Sequence, residues 1–302
     1  MTGAAADDPD PDLDLEQRSG GGRLPRVPLR ALAVALSLVA AARADAWSTP
    51  GHRVVGAIAE ERLSPAARAL VREILGATPM SAPDVAGWAD AQRDPATKPW
   101  HYVNIPLSAP GYDAARDCPR GECVVAAIAR AERRLRAGGS AMERADALRW
   151  LLHLVADVHQ PLHAGDRRDR GGNDLLVRRT RGRGQPSNLH HVWDFDVVGP
   201  ALHGRDAAAA GRDLARAIPA REAEAWARDL DPGAWATESH EVARRIYAEV
   251  DALPREGAIV VLPRQYARAQ RAVVEAQLEK AGVRLAALLD RIARERGGAR
   301  DR

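Results

Sequence analysis

Between Arg149 and His163 the chain reads RWLLHLVADVHQPLH. Trp150, Leu151, Leu152, Leu154, Val155 and Val158 commit this stretch to a helix inside a core, because so dense a set of large apolar side chains is stable only away from water. The same stretch carries His153, Asp157, His159 and His163. His153 and Asp157 are one helical turn apart and project from one face, with Cβ atoms roughly 5–6 Å apart. Pro161 ends or kinks the helix near Gln160, and His163 follows the break. Buried polar groups are costly unless partnered. Apolar packing does not call for them; a metal site does.

The 302 residues are enough for one large domain or two small ones. Helix formers dominate and β-branched runs are short, so a mainly helical protein is expected. Lysine occurs only at Lys98 and Lys280, against a heavy use of arginine.

Residues 1–22 are rich in Asp, Pro and Gly and cannot build a core. Arg23, Arg26 and Arg30 then precede an apolar run from Ala31 to Ala42 and the small-residue site Ala44-Asp45-Ala46. That order is a secretory signal over residues 23–46, too short for a membrane span. Cleavage after Ala46 is expected, leaving a mature chain that starts at Trp47 and is exported to the periplasm or beyond. It removes five arginines and seven acidic residues and moves the formal charge from +3 to +5, which suits an anionic substrate. Cys118 and Cys123 enclose a Pro-Arg-Gly-Glu turn. In an exported chain the pair reads as a short-loop disulfide; two free thiols near a metal are the weaker alternative.

Helices are expected after the Thr49-Pro50-Gly51 turn, from the Ser64 cap to about Leu75, before Pro95, over about 124–137 and through the Arg149–His163 region. Residues 100–106 look extended. Residues 175–184 look like one strand entering a basic hairpin turn. After a helix beginning near 188–196, further helices cover about 206–217, 219–230, 233–250 and Pro263 to near Arg294. One domain is expected over 47–296, with a tail at 297–302.

Nine histidines are present. His190 and Asp194 repeat the i, i+4 spacing of His153 and Asp157. His101 lies in a Trp-His-Tyr-Val-Asn segment, His52 follows the mature terminus, and Asp90 sits among apolar residues. One His–Asp pair is an ordinary surface contact. Two pairs with further histidines in apolar contexts point to metal. Imidazole and carboxylate without thiolate suit zinc in an open, catalytic sphere. The ligands outnumber the needs of one ion, and a multinuclear centre suits phosphoester hydrolysis.

Taken together the motifs resemble the S1/P1 family of zinc-dependent nucleases. The matching residues are WSTPGH at 47–52, WADAQRD at 88–94, WHYVN at 100–104, CPRGEC at 118–123, HLVADVHQPLH at 153–163, DRGGN at 169–173 and NLHHVWD at 188–194, with VVEAQLEKAGVRLA at 273–286 near the end. The resemblance implies a single, mainly α domain of the S1/P1 nuclease and phospholipase C type with a small β-hairpin. It implies three zinc ions. The first takes Asp90, His101, His153 and Asp157; the second takes the amine and carbonyl of Trp47, His52 and a bridging Asp157; the third takes His163, His190 and Asp194. It further implies endonucleolytic hydrolysis of single-stranded DNA and RNA to 5′-phosphate products, with 3′-nucleotidase activity, by a monomer without a stable protein partner or a membrane.

Arg93 matches a family cation placed to stabilise the phosphate being attacked, beside Asp90 and Asp157 in the catalytic set; an ordinary surface arginine is the competing reading. Tyr102 matches an aromatic that stacks on a base. Asn104 stands where fungal members carry a carboxylate at the base edge, so base preference is expected to differ. Asn173 belongs to the substrate-facing loop, and Gly171 and Gly172 serve the turn itself. Arg178, Arg179, Arg181 and Arg183 read either as a track for a phosphate backbone or as a solvated hairpin. His159, His191, His203 and His240 read as structural, and Trp88, Trp100, Trp150 and Trp193 as core. Two alternatives stand: a zinc-dependent phospholipase C, disfavoured by the short spacing from Trp47 to His52 and by Asp at 194, and a non-catalytic zinc-binding protein.

Overall fold

Ser140 opens the central helix with a reciprocal capping box: its hydroxyl accepts from Glu143 N and its own N–H donates to the Glu143 carboxylate. The computed structural model describes residues 47–179 and 185–300. The acidic extension, the signal segment, Arg181 and Arg183 fall outside the described residues. In chain order the helices are α1 (Thr49–Arg62), α2 (Pro65–Leu75), α3 (Pro83–Ala86), α4 (Trp88–Ala91), α5 (Ala114–Asp117), α6 (Val124–Ala137), α7 (Ala141–Val158), α8 (Leu189–His191), α9 (Val198–Ala201), α10 (Ala207–Ala217), α11 (Ala220–Arg228), α12 (Pro232–Asp251), α13 (Tyr266–Ala269) and α14 (Arg271–Arg300). The mainly α architecture expected from composition is present.

Helix α7 is the hub. It packs against α1, α2, α6, α12 and α14, and every residue from Trp150 to Val158 is buried. The helix ends at Val158, slightly before the proline, and a short 3₁₀ turn at Pro161–His163 follows. Helix α1 approaches α14 closely because position 282 is glycine: a Cβ there would collide with Ile58.

A buried charge network holds the last turn of α7. Arg284 of α14, itself buried, donates to His159 Nε2 at 2.8 Å and pairs with Glu238 at 2.7 Å. His159 Nδ1 donates to Val155 O at 2.7 Å, so the ring is neutral, and burial together with Arg284 pushes its pKa down to about 3. Gln277 adds a bond from its Nε2 to His159 O at 2.8 Å. His159 is therefore a structural histidine.

Several local expectations need correction. Gly87 breaks the segment before Pro95 into α3 and α4. Residues Lys98–His101 form a 3₁₀ turn before the backbone extends at Tyr102, because Pro99 pre-sets a helical φ. The final helix begins only after α13 and a break at Gln270, and runs on through Arg300, past the expected end. The sheet is larger than one hairpin. β1 (Leu176–Arg179) pairs antiparallel with β2 (Ser187–Asn188) and parallel with β4 (Ile259–Leu262), which pairs antiparallel with β3 (Arg255–Glu256), in the order β2-β1-β4-β3. Val177 lies opposite Val260. The second hairpin has only short strands, and its exposed half reads like a loop.

Candidate metal centre

Six elements deliver their polar side chains to one buried region. Helix α1 brings His52, α4 Asp90, the 3₁₀ turn His101, α7 His153 and Asp157, the turn after Pro161 His163, and α8 with the residues after it His190 and Asp194. His52, His153 and Asp157 are 0 % exposed, a degree of burial that only mutual partnering makes tolerable. The ligand atoms gather into three groups, each within 4.8 Å: His52, His153 and Asp157; Asp90, His101 and His153; and His163, His190 and Asp194.

In the first two groups Asp157 divides its oxygens. Oδ1 lies 2.9 Å from His52 Nε2, while Oδ2 lies 3.0 Å from His101 Nδ1 and 3.2 Å from His153 Nε2. His153 Nε2 is also 3.3 Å from Asp90 Oδ1 and 3.0 Å from His101 Nδ1. Burial opposes charge on both partners, yet the carboxylates of Asp157 and Asp90 outweigh it and hold His153 well above the usual histidine range. Burial likewise opposes ionisation of Asp157, and His153, His101 and His52 outweigh it, keeping Asp157 well below the usual carboxylate range. The region concentrates negative charge and draws positive charge to itself.

The third group gives the sharpest test of fit. His163 Nδ1 donates to His101 O at 2.7 Å, and His190 Nδ1 donates to Gly171 O at 2.8 Å. A carbonyl oxygen only accepts, so the proton of each neutral ring sits on Nδ1. Burial lowers both pKa values, that of His190 to about 3. Both Nε2 atoms therefore present lone pairs, 3.2 Å apart, to each other and to Asp194, whose oxygens lie 3.8 Å from His163 and 3.4 Å from His190. Two lone pairs and a carboxylate converging in a protein interior repel one another unless a cation lies among them. The donor set fits zinc, and carbonyl bonds on the other ring nitrogen are how ligand histidines are oriented.

Local backbone features explain this placement. His190 ends up facing Asp194 although the helix widens into a π-turn over Val192–Asp196, a feature frequent at functional sites. Ser48 N donates to Asp194 O at 2.8 Å, which anchors the start of the described chain beside this group. Val103 N donates to His163 O at 2.8 Å and Val124 N to Tyr102 O at 3.0 Å, so the His101–Val103 strip is tied on both sides. Just before Val124, Cys118 and Cys123 form a disulfide, which removes both sulfurs from metal binding. Trp150 packs edge-on against His101, with ring centroids 5.6 Å apart, and also against Trp88 and Trp100.

The residues expected around the substrate lie at the surface. Arg93 and Asn104 are exposed and Tyr102 is half-buried. Asn173 is half-buried, and its Nδ2 donates to Arg170 O at 2.9 Å. Among the described residues none of the four is hydrogen-bonded to the histidine groups. Trp47 is fully buried. Arg178 pairs with Glu256 and Arg179 with Asp196, so these two behave as a charged hairpin. His191 stacks on Phe195, His203 pairs with Glu275, and His240 bonds Ala109 O, all apart from the groups. Trp193 is fully buried and donates to Tyr266 Oη at 3.2 Å; Trp88 and Trp100 are only partly buried against the core.

The sequence alone gives no role to Gln160 and gives Gly171 only a place in the turn. Gly171 supplies the carbonyl that orients His190, and Gln160 Nε2 donates to Asp194 Oδ1 at 2.7 Å. Both partners are far away along the chain, 19 residues for Gly171 and 34 for Gln160, so no local pattern signals either contact.

The chain is similar to known proteins over most of its length. A family profile described as S1/P1 Nuclease matches residues 47–294. Endonuclease 4 of Arabidopsis thaliana is 32 % identical over 283 residues, covering 82 % of this chain and 89 % of that protein. Nuclease S1 of Aspergillus oryzae is 31 % identical over 166 residues, covering 52 % of this chain and 56 % of its own. Nuclease P1 of Penicillium citrinum is 30 % identical over 193 residues, covering 61 % and 65 %.

Proposed function

This chain belongs to the S1/P1 nuclease family and is a nuclease, and on that premise we propose that it is an exported, zinc-dependent endonuclease of single-stranded DNA and RNA. Its products carry 5′-phosphates, and it also removes the phosphate of 3′-nucleotides. The family match decides against the phospholipase C alternative. Among the described residues no helix is long and apolar enough to cross a membrane.

The observation that carries the zinc reading is the opposed pair of Nε2 lone pairs on His163 and His190. In this reading three ions are held: one by Asp90, His101, His153 and Asp157, one by the Trp47 amine and carbonyl with His52 and Asp157, and one by His163, His190 and Asp194. The division of the Asp157 oxygens between His52 and His101 supports its assignment as a bridge. Zinc held there supplies Lewis acidity toward water and phosphoryl oxygens.

The protein's own groups do the rest. Asp90 and Asp157 concentrate negative charge where cations must gather. Arg93 is exposed next to α4, with no ion-pair partner among the described residues, and so is free to meet a phosphate; there it stabilises charge that grows on the non-bridging oxygens. Tyr102 offers a ring face to a base, a contact that tolerates many sequences. Asn104 offers both a donor and an acceptor to the base edge, and Asn173 belongs to the substrate-facing loop. A protein with such contacts favours strands whose bases are already unstacked.

The test is an activity panel on protein that begins at Trp47. Single-stranded DNA, RNA, duplex DNA and 3′-mononucleotides are incubated separately and the product ends are mapped. Faster cleavage of single strands, with 5′-phosphate ends and release of phosphate from 3′-mononucleotides, is expected. Products with 3′-phosphate ends, or cleavage confined to duplex, would overturn the proposal.

A further inference from the structure

Gln160 stands between two ligand groups and belongs to neither. It is 0 % exposed, and it lies three residues after Asp157 and three before His163. Its Oε1 accepts from Leu162 N at 2.7 Å, which fixes the oxygen end of the amide. The Nε2 end must then face Asp194, and it donates to Oδ1 at 2.7 Å. A buried amide satisfied at both ends has one orientation available to it.

Resting on the zinc reading above, we propose that Gln160 is a positioning residue for the third ion. A carboxylate can rotate about its last bond and offer either oxygen, or both. The donor on Oδ1 fixes the plane of the Asp194 carboxylate and leaves Oδ2 turned to His190 Nε2, 3.4 Å away. The bond also ties the segment carrying His190 and Asp194 to the one that carries Asp157 and His163. Partners of this kind on ligating carboxylates typically hold 10–100-fold of metal affinity or activity. The competing role for Gln160 is only to cap the turn at Pro161–His163 through Oε1.

Two variants separate these roles. Gln160→Glu keeps the side-chain shape and an oxygen for Leu162 N but replaces the amide donor facing Asp194. Gln160→Met keeps the length and loses both bonds. Zinc is removed from each holoprotein by a graded chelator competition, with circular dichroism recording that helix content is unchanged and with kcat and KM measured on single-stranded DNA. Both variants are expected to release one ion of three at 10–100-fold lower chelator concentration, and to lose kcat more than KM. A Gln160→Glu competition curve that overlays wild type would overturn the inference, because capping alone is then sufficient. So would equal loosening of all three ions. Wild-type protein that holds no third ion would instead overturn the zinc reading, and the inference with it.

Discussion

His163 Nε2 stands 3.2 Å from His190 Nε2, and each ring has committed its other nitrogen to a backbone carbonyl, His101 O for His163 and Gly171 O for His190. Neither ring can turn away without leaving a buried N–H unpaired, which costs about 1–3 kcal/mol. The lone pairs are therefore aimed before any ion arrives. That pre-aiming depends on Gly171, whose φ is +61° and where a Cβ would collide with Leu162 O. Gly171→Ala must shift the carbonyl that holds His190. The variant is expected to lose one zinc and about 10–100-fold of activity, as measured by metal analysis and single-stranded DNA hydrolysis; full zinc content and full activity would refute it.

Asp157 faces His52 with one oxygen and His101 with the other. Asp157→Asn keeps the shape but replaces one ligand oxygen with an NH₂ donor. Two ions are expected to be lost together, together with nearly all activity. Native mass spectrometry reads the count, and loss of a single ion would count against the bridge.

The terminal residue can be tested without altering any side chain. A free amine at Trp47 exists only after cleavage, and its ordinary pKa is about 8, so ligation requires that it give up a proton. Precursor retaining residues 1–46, or protein with one extra residue before Trp47, is expected to bind one zinc fewer and to be largely inactive. Comparison of the forms in parallel on single-stranded DNA checks this, and equal activity would remove Trp47 from the ligand set.

How far the site was readable follows from helix periodicity. His153 with Asp157, and His190 with Asp194, are visible because i, i+4 spacing is a local property of the chain. That His163 joins the second pair was less visible, since it depends on the turn after Pro161 and on a bond to His101 O, 62 residues away in the chain. The roles of Gln160 and of the Gly171 carbonyl were not legible because they are decided by partners distant in sequence. The same holds for the fold. Helix α2 announces itself through its Ser64 cap, and α6 and α7 through apolar residues at helical spacing, whereas the parallel pairing of β1 with β4 is non-local and its strands are short.

A pH effect on stability is expected well away from the metal groups. Burial, then the charges of Glu275 and Glu222, push the Glu279 carboxyl up to about 7 from an ordinary 4.5. Between those values the folded chain holds a proton that the unfolded chain has released, so stability falls as pH rises through that window. Below it both states are protonated and the cost vanishes. Glu279→Gln is expected to raise the melting temperature at pH 8 and to leave it unchanged at pH 4. Calorimetry at the two pH values checks it; an equal gain at both would mean that the group does not titrate in this way.

The most direct measurement follows zinc and activity in one sample of protein that starts at Trp47. Zinc per chain and the rate of single-stranded DNA cleavage are recorded before chelation, after chelation, and after zinc is returned. Three ions per chain, loss of cleavage with their removal and recovery with their return are expected. Cleavage that persists in protein stripped of metal, or a fully loaded protein that cleaves nothing, would contradict a catalytic zinc centre built on Asp157.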